Sequence, residues 1–593
     1  MREDTRGSAT VGAQVRGEGT CFRVWAPAAR TCAVVLEPGG QAFQMGRIDT
    51  GLYEVILPGV GAGALYRLRL DGGEPLPDPA SRFQPLGVNG PSMVIDPSRF
   101  SWSDGGWRGV AMADLVFYEL HVGTFSPSGT FAGVTERLGY LRDLGVTAVE
   151  LMPVADFPGR WNWGYDPAAL FAPSRAYGTP DDLRTLVNEA HRLGLAVYLD
   201  VVYNHLGPAG ASLPRINPQF FSQLHHTGWG QAVNLDGPGA GAVRRFFIEN
   251  ALHWLQEYHL DGLRLDATHA LQDDGPRHFL AELSEVVGRV PGPRRRLIAE
   301  DPRNLNTLLR PREEAGYGLD GVWVDDFHHG VRCSTAGDRD SYYADFTPGA
   351  EELTRTINQG WLYAGQRSRH SGAPRGTDPR GLHPSSFVYC IQNHDQIGNR
   401  AFGDRLTDGV TAAQYRAASS LLLFLPQTPL LFMGQEWGAT TPFLFFTDHD
   451  AQLGAQVREG RRKEFAAFAS FGREVPDPQS PESFARSHLR WDEALRFPHA
   501  GYQRLYRELL ALRRRLRGAA QARPLGPRAL AVTRGDHTLI VALEAGVRVP
   551  HREGEWVWHT EAPAFTRDAQ PPRRDGDSIV FPGPAALILE TEA

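Results

Sequence analysis

Two hydrophobic periodicities divide the chain. In residues 1–96 apolar runs are short and alternate with polar positions, as in Thr20-Cys-Phe-Arg-Val-Trp25 and Ala33-Val-Val-Leu36, with Gly and Pro clusters between them. That pattern predicts a small β-sandwich. A Pro-, Ser- and Gly-bearing link follows at about 97–110. Over residues 111–517 near-continuous apolar, β-branched runs instead alternate with stretches of 3.6-residue spacing. The candidate strands are Leu115–Leu120, Val146–Met152, Ala196–Tyr203, Gly262–Asp266, Arg296–Glu300, Gly321–Val324, Ser386–Ile391 and Pro429–Phe432. Helical segments such as Asp181–Leu193 and Ala242–Tyr258 lie between them, and Tyr502–Leu516 has the spacing of a closing helix. Strand, loop and helix repeated this way predict an α/β fold of the TIM (β/α)8 barrel type. Residues 520–593 return to short strands, among them Leu530–Thr533, Thr538–Leu543 and Ala585–Leu589, and predict a C-terminal β-sandwich. The connection from Asn204 to Ala242 is long for a barrel loop and is expected to form a small excursion over the mouth.

At 593 residues the chain exceeds one ordinary core, in keeping with that division. A hydrophobic content of 42% and a charged content of 22% are those of a globular protein. The net charge of −7 argues against a nucleic-acid or anionic-membrane partner. The four cysteines, Cys21, Cys32, Cys333 and Cys390, have no metal-ligand spacing and are expected to be reduced. No run is long and apolar enough to span a bilayer, and Met1-Arg2-Glu3-Asp4 opens no apolar signal segment, so a cytoplasmic enzyme is expected.

Candidate chemistry gathers at the ends of the predicted strands, where barrel sites form. Asp266 ends the fourth strand, Glu300 the fifth, and Asp395 follows the seventh. Taken singly, such an acid is more often a cap or turn residue, and an Arg-x-Asp pair is more often a structural ion pair. Their recurrence in one order along one barrel pattern is what points to glycosidic-bond chemistry. Asp266 and Glu300, on neighbouring strands, are expected to face one another at the roughly 5–5.5 Å that implies retention, one as nucleophile and one as acid/base. Arg264, two residues before Asp266, shares its side of the strand and would keep it ionised. Glu300 must hold a proton near neutral pH, which burial and a nearby carboxylate would secure. Asp395 would accept hydrogen bonds from sugar hydroxyls, with His205 and His394 as donors to the same ring. Trp residues beside Gly, Asn or Asp are either loop packing or platforms for sugar faces.

Asp200–His205, Gly262–His269, Ile298–Asp301 and Ile391–Gln396 closely resemble the four signature regions of the α-amylase superfamily, glycoside hydrolase family 13. Phe22–Pro27, Tyr66–Arg69 and Asp78-Pro79 resemble the sandwich that precedes glycogen branching and debranching enzymes. The resemblance implies Asp266 as nucleophile, Glu300 as acid/base and Asp395 as transition-state stabiliser. It implies sugar contacts from Asp200, His205, Arg264, His269, His394 and Gln396, and from Trp163, Tyr165 and Asp166, with Tyr165 under the attacked ring. Thr227–Gly237, Trp323–His329, Ser341–Phe346, Met433–Trp437, Pro442–His449 and Arg458–Phe465 are similar to the maltooligosyltrehalose trehalohydrolase branch of that superfamily. Such enzymes release trehalose and a maltooligosaccharide from maltooligosyltrehalose, downstream of a maltooligosyltrehalose synthase. Trp229, Trp323, Asp325, Asp326 and His328 fall in these stretches and are expected on the trehalose side, Asp326 as a specificity residue. The chain departs from the pattern at Gly228, where the branch has Pro, and follows it loosely over residues 361–385. The excursion after the third strand is short for an amylase-type calcium site, so no cofactor or metal is expected. A branching or debranching activity is the alternative within the superfamily, and a non-catalytic glucan-binding scaffold the alternative outside it.

Overall fold

The computed structural model describes residues 11–465, 474–550 and 554–591. Near the N-terminus two four-stranded antiparallel sheets pair Gly12–Arg16, Gly19–Trp25, Leu52–Pro58 and Gly46–Asp49, and Gln41–Gln44, Cys32–Glu37, Leu65–Leu70 and Ser92–Met93. Their inward residues, among them Phe22, Val34, Tyr53 and Tyr66, form one core.

Eight parallel strands close into a barrel: β1 (Phe117–Leu120), β2 (Ala148–Leu151), β3 (Ala196–Val201), β4 (Gly262–Leu265), β5 (Arg296–Glu300), β6 (Gly321–Trp323), β7 (Phe387–Cys390) and β8 (Thr428–Phe432). Each coincides with a run predicted from the sequence, to within two residues at either end. The strands are apolar throughout because barrel strands are covered on both faces, and nearly all of their residues are buried. The helices form where expected. Pro180–Arg192 starts at a capping box in which Thr179 accepts from the Asp182 amide and Asp182 from the Thr179 amide. Ala240–Leu252 runs on into a π turn at His253–Glu257.

The connection after β3 is the expected excursion, an antiparallel hairpin of Phe221–Thr227 and Gly230–Val233. At the other end of the chain a five-stranded sheet (Ala520–Pro524, Ala529–Arg534, His537–Ala542, Ala585–Glu590, Glu555–His559) packs with a three-stranded one (Val547–Pro550, Ser578–Phe581, Arg573–Asp575). A buried Arg416–Glu561 pair at 2.6 Å ties this unit to a barrel helix. No helix among the described residues is long and apolar enough to cross a membrane.

Candidate active site

The strand register builds the site. β4 and β5 pair Arg264 with Ile298 and Leu265 with Ala299, and one step further sets Asp266 opposite Glu300. Asp266 donates its amide to the Val201 carbonyl of β3, which fixes its backbone against a third strand. The chain then turns sharply at Ala267, whose φ of 42° is in the left-handed region that a non-glycine residue seldom adopts. That turn aims the Ala267 amide at Glu300 Oε2, 2.6 Å away. Strain held at such a point marks functional sites.

Arg264 is the centre. Fully buried, it donates from Nη1 to Asp200 at 2.8 Å and to Asp266 at 2.9 Å, and its Nη2 lies 3.7 Å from Glu300. Three carboxylates from three strands therefore crowd one guanidinium. Below it lies the Trp323 ring, 4.3 Å from Cζ, which offers its π face to the cation. Burial pushes the Glu300 carboxyl up to about 8, and the charges of Asp266, Asp395 and Asp325 add to the rise against the opposing pull of Arg264. Glu300 is thus protonated at neutral pH while Asp266 is hydrogen-bonded to a guanidinium. A carboxylic acid beside a guanidinium-bound carboxylate can protonate a leaving oxygen on one side and attack a carbon on the other.

Above this pair stand Tyr165 and His394, stacked at 5.1 Å between centroids. Tyr165 donates to Asp200 at 2.5 Å and its oxygen lies 2.8 Å from His394 Nε2. Asp395 follows on a short helical turn whose start is capped by the Asn393 side chain at the Gln396 amide. It lies 3.4 Å from His394 Nε2, and Asn399 donates to it at 3.1 Å. Gln396 donates to Asp325 at 3.3 Å. Burial, with repulsion from Asp395 and Asp326, lifts Asp325 to about 6 against the pull of Arg375.

Several residues expected to contact sugar are engaged with the protein framework. Trp163 is buried flat against Phe443 with its Nε1 on the Leu444 carbonyl at 2.9 Å, and it edges onto His394 from behind. Trp323 fills the barrel interior under Arg264. Asp326 is only 1% exposed, and its two oxygens are taken by Arg375 at 2.7 Å, Asn304 at 2.8 Å and the amides of Leu362 and Tyr363. It fastens the loop after Gly360, which gives it a structural part in place of the direct sugar contact expected from the sequence. His328 is equally enclosed, with burial and the nearby His329, Arg332 and Arg400 holding it well below the ordinary imidazole range. Asp166 serves as an acceptor for Asn162 at 2.7 Å and lies 3.4 Å from His449.

Others stand around the hairpin that follows β3. His205 bonds the Tyr165 carbonyl through Nε2 at 2.8 Å and lies parallel to Trp229 at 5.1 Å. Trp229 is at the hairpin tip and 53% exposed. His269 stands nearby, 6.5 Å from the Trp229 ring, with burial lowering its basicity. Buried polar atoms without partners concentrate here: Arg264 Nε and Nη2, His205 Nδ1, His269 Nδ1 and Gln396 Oε1.

Two residues went unnoticed in the sequence. Glu119 of β1 bonds His394 Nδ1 at 2.5 Å and the His394 amide at 3.0 Å. Glu150 of β2 is its register neighbour, and burial with repulsion from Glu119 and Asp200 drives it well above the carboxylate range. The available signal was a lone acid inside an apolar strand, Phe-Tyr-Glu-Leu and Ala-Val-Glu-Leu, since a buried acid demands a partner or a proton.

Known proteins carry similar sequences. The carbohydrate-binding module 48 family, the isoamylase N-terminal domain, matches residues 10–97, and the α-amylase catalytic domain matches residues 94–213. A malto-oligosyltrehalose trehalohydrolase of Deinococcus radiodurans is 49% identical over 503 residues, 84% of this chain and 81% of its own. One from Arthrobacter ramosus is 44% identical over 586 residues, covering 96% of this chain and 99% of its own. A crystal structure from Salmonella typhimurium, described as a candidate α amylase, superposes with a TM-score of 0.89 at 38% identity, over 98% of this chain and 99% of that one.

Proposed function

We infer that this chain, which belongs to the malto-oligosyltrehalose trehalohydrolase family, hydrolyses the α-1,4 bond beside a terminal trehalose unit, releasing trehalose and a shortened maltooligosaccharide. The observation that carries the chemistry is the unequal pair on one guanidinium. Asp266 is bound to Arg264 at 2.9 Å, whereas Glu300 is pushed up to about 8.

In the first step an Asp266 oxygen attacks the anomeric carbon as the bond to the trehalose oxygen breaks, and Glu300 gives that oxygen its proton. Trehalose leaves, and the remaining glucan is an ester of Asp266. In the second step Glu300, now a carboxylate, takes a proton from water as the water oxygen attacks the same carbon and frees Asp266. Two inversions amount to retention, which suits carboxylates on neighbouring strands sharing one guanidinium. Positive charge on the ring carbon in each transition state favours nearby carboxylates. Asp395, 42% exposed, is free to bind sugar hydroxyls there. Tyr165, half-buried above Arg264, is the platform for the attacked ring.

Relatives of this name extend over nearly the whole chain, which favours trehalose release over branching or debranching. The substrate would come from an enzyme that isomerises the reducing end of a glucan to an α,α-1,1 linkage. Free, buried cysteines accord with a reducing, cytoplasmic setting. The deciding experiment compares maltotriosyltrehalose with maltopentaose. Rapid trehalose release from the first with slow attack on the second is the expected result. Equal cleavage, or new α-1,6 linkages from a longer glucan, would instead indicate a general amylase or branching enzyme.

A further inference from the structure

The steps above leave Glu119 unused, yet it holds a residue of the site at two points. It is buried at the C-terminal end of β1, and its own carbonyl takes the Met433 amide at 2.9 Å. One carboxyl oxygen faces His394 Nδ1 at 2.5 Å and the other accepts the His394 amide at 3.0 Å. With Glu119 as the acceptor in both contacts, His394 Nδ1 carries the proton between them.

The second ring nitrogen is settled by counting protons. Arg264 Nη1 donates to both oxygens of Asp200, at 2.9 and 2.8 Å, and its charge opposes the burial that lifts this carboxyl to about 6, so at neutral pH Asp200 acts as an acceptor. Tyr165 must then spend its single hydroxyl proton on Asp200, at 2.5 Å. Towards His394 Nε2, 2.8 Å away, the Tyr165 oxygen can only accept, and Nε2 therefore also bears a proton. Asp395 Oδ1, 3.4 Å from the same nitrogen, is a second acceptor for it.

We propose that Glu119 is a positioning residue for the hydrolysis: by gripping the ring and the backbone of His394 it fixes that residue as an imidazolium whose Nε2–H points between Tyr165 and Asp395. The cation would hold the Tyr165 platform and orient Asp395 before the sugar arrives. Only this last clause rests on the trehalohydrolase reading; the charge of the ring does not.

Every charge around the ring fits. Glu119 of β1, Asp200 of β3 and Asp395 on its own turn are acidic neighbours, Arg264 of β4 is the opposing cation, and His121 after β1 is held neutral by burial. Glu150 of β2 is driven towards its neutral form by burial and by Glu119 and Asp200. Trp163 and Trp323 close the ring in from the sides. Burial works against a charged imidazole, and Glu119 with Asp395 more than offsets it, raising His394 to about 9.

The test is 15N NMR of the histidine-labelled full chain, with His394→Asn to assign the ring, alongside pH–rate profiles on maltotriosyltrehalose. In the wild type both His394 nitrogens should be protonated at neutral pH. In Glu119→Gln the ring should titrate at least about one pH unit lower, roughly a tenfold change in its protonation equilibrium. Glu300 sets the wild-type alkaline limb near 8, so the lowered ring should add a second deprotonation that steepens that limb in Glu119→Gln while KM changes little, and Glu119→Asp, which keeps the charge, should restore most of the wild-type shape. A singly protonated His394 in the wild type, or an unchanged limb in a folded Glu119→Gln protein, overturns the proposal. The NMR result needs no substrate. Failure to release trehalose would therefore sink the assigned reaction, while a neutral His394 would sink this assignment.

Discussion

The barrel buries ionisable groups at both ends, and the two ends treat them differently. At the foot, Asp261 precedes β4 and has its oxygens filled by Trp107 Nε1 at 2.7 Å, His191 Nε2 at 2.9 Å and the Val197 amide at 2.8 Å. Asp104 takes His191 at 2.9 Å and His259 at 2.8 Å, and these donors hold it below the carboxylate range although burial pushes the other way. At the mouth, three acids share one arginine, burial favours the protonated form of Glu300, and Arg264 Nε and Nη2 have no hydrogen-bond partner, Nη2 standing 3.7 Å from Glu300. The filled carboxylates at the foot fasten strands and a linker, although Arg295 beside Asp261 keeps two unpartnered nitrogens. The unsaturated charges at the mouth are poised for a ligand, and keeping them so costs stability.

The largest effect should come from the mouth. Asp266→Asn removes the proposed nucleophile, so kcat should fall by about 10³-fold or more. It also relieves crowding around Arg264, so the thermal midpoint should hold or rise. Activity and melting curves on the same preparation check both. Near-normal turnover would remove Asp266 from the mechanism, and a large drop in midpoint would make it a foot-like residue.

The next effect is a pH dependence. Glu300 acts as an acid only while protonated, so activity should decline as pH rises through about 8. The linked stability has the same sign. Glu300 lies at about 8 in the folded chain against an ordinary 4.5, so the folded state binds its proton more tightly. That contribution is fully present below the ordinary value and is lost as pH rises through 8. Glu300→Gln should remove the decline near 8 together with most of the activity. Its midpoint should gain on the wild type between these pH values, which a melting series across pH would reveal.

Asp326 sharpens the comparison because it stands near the mouth yet is filled like Asp261. Asp261→Ala and Asp326→Ala should each lose about 3 kcal/mol by leaving buried donors unpaired. Denaturant titration would measure that loss. For Asp326→Ala, any drop in activity should be equal on maltotriosyltrehalose and maltopentaose, since the loop as a whole loosens. A selective loss on the trehalose-ended substrate would return Asp326 to the sugar-contact role.

How much was legible in the sequence follows the same divide. The eight strands could be read because a strand covered on both faces is apolar at every position. Asp266, Glu300 and Asp395 could be read because they interrupt or end those runs. Whether a Trp lines the floor or the rim could not be read. Trp323 and Trp229 both lie in branch-specific stretches, and only the barrel interior and the hairpin tip separate them. Adjacent Asp325 and Asp326 share a helix start, yet one meets Gln396 at the mouth and the other locks a loop. Glu119 stayed hidden because its partner His394 lies far away in sequence, and Glu150 because its neighbours on the barrel are brought beside it only by strand pairing.

Trp229 should give the smallest effect and tests the rim alone. Its indole lies parallel to His205 at 5.1 Å at the tip of the hairpin after β3. An exposed ring of this kind can stack on a sugar, a contact worth about 1 kcal/mol. Trp229→Ala should therefore raise KM for maltotriosyltrehalose by roughly fivefold and leave kcat, the alkaline limb and the midpoint as they are. A fall in kcat would mean that the stack on His205 holds the Tyr165 carbonyl, and through it the platform, in place. The rim would then belong with the charged mouth rather than with the binding surface around it.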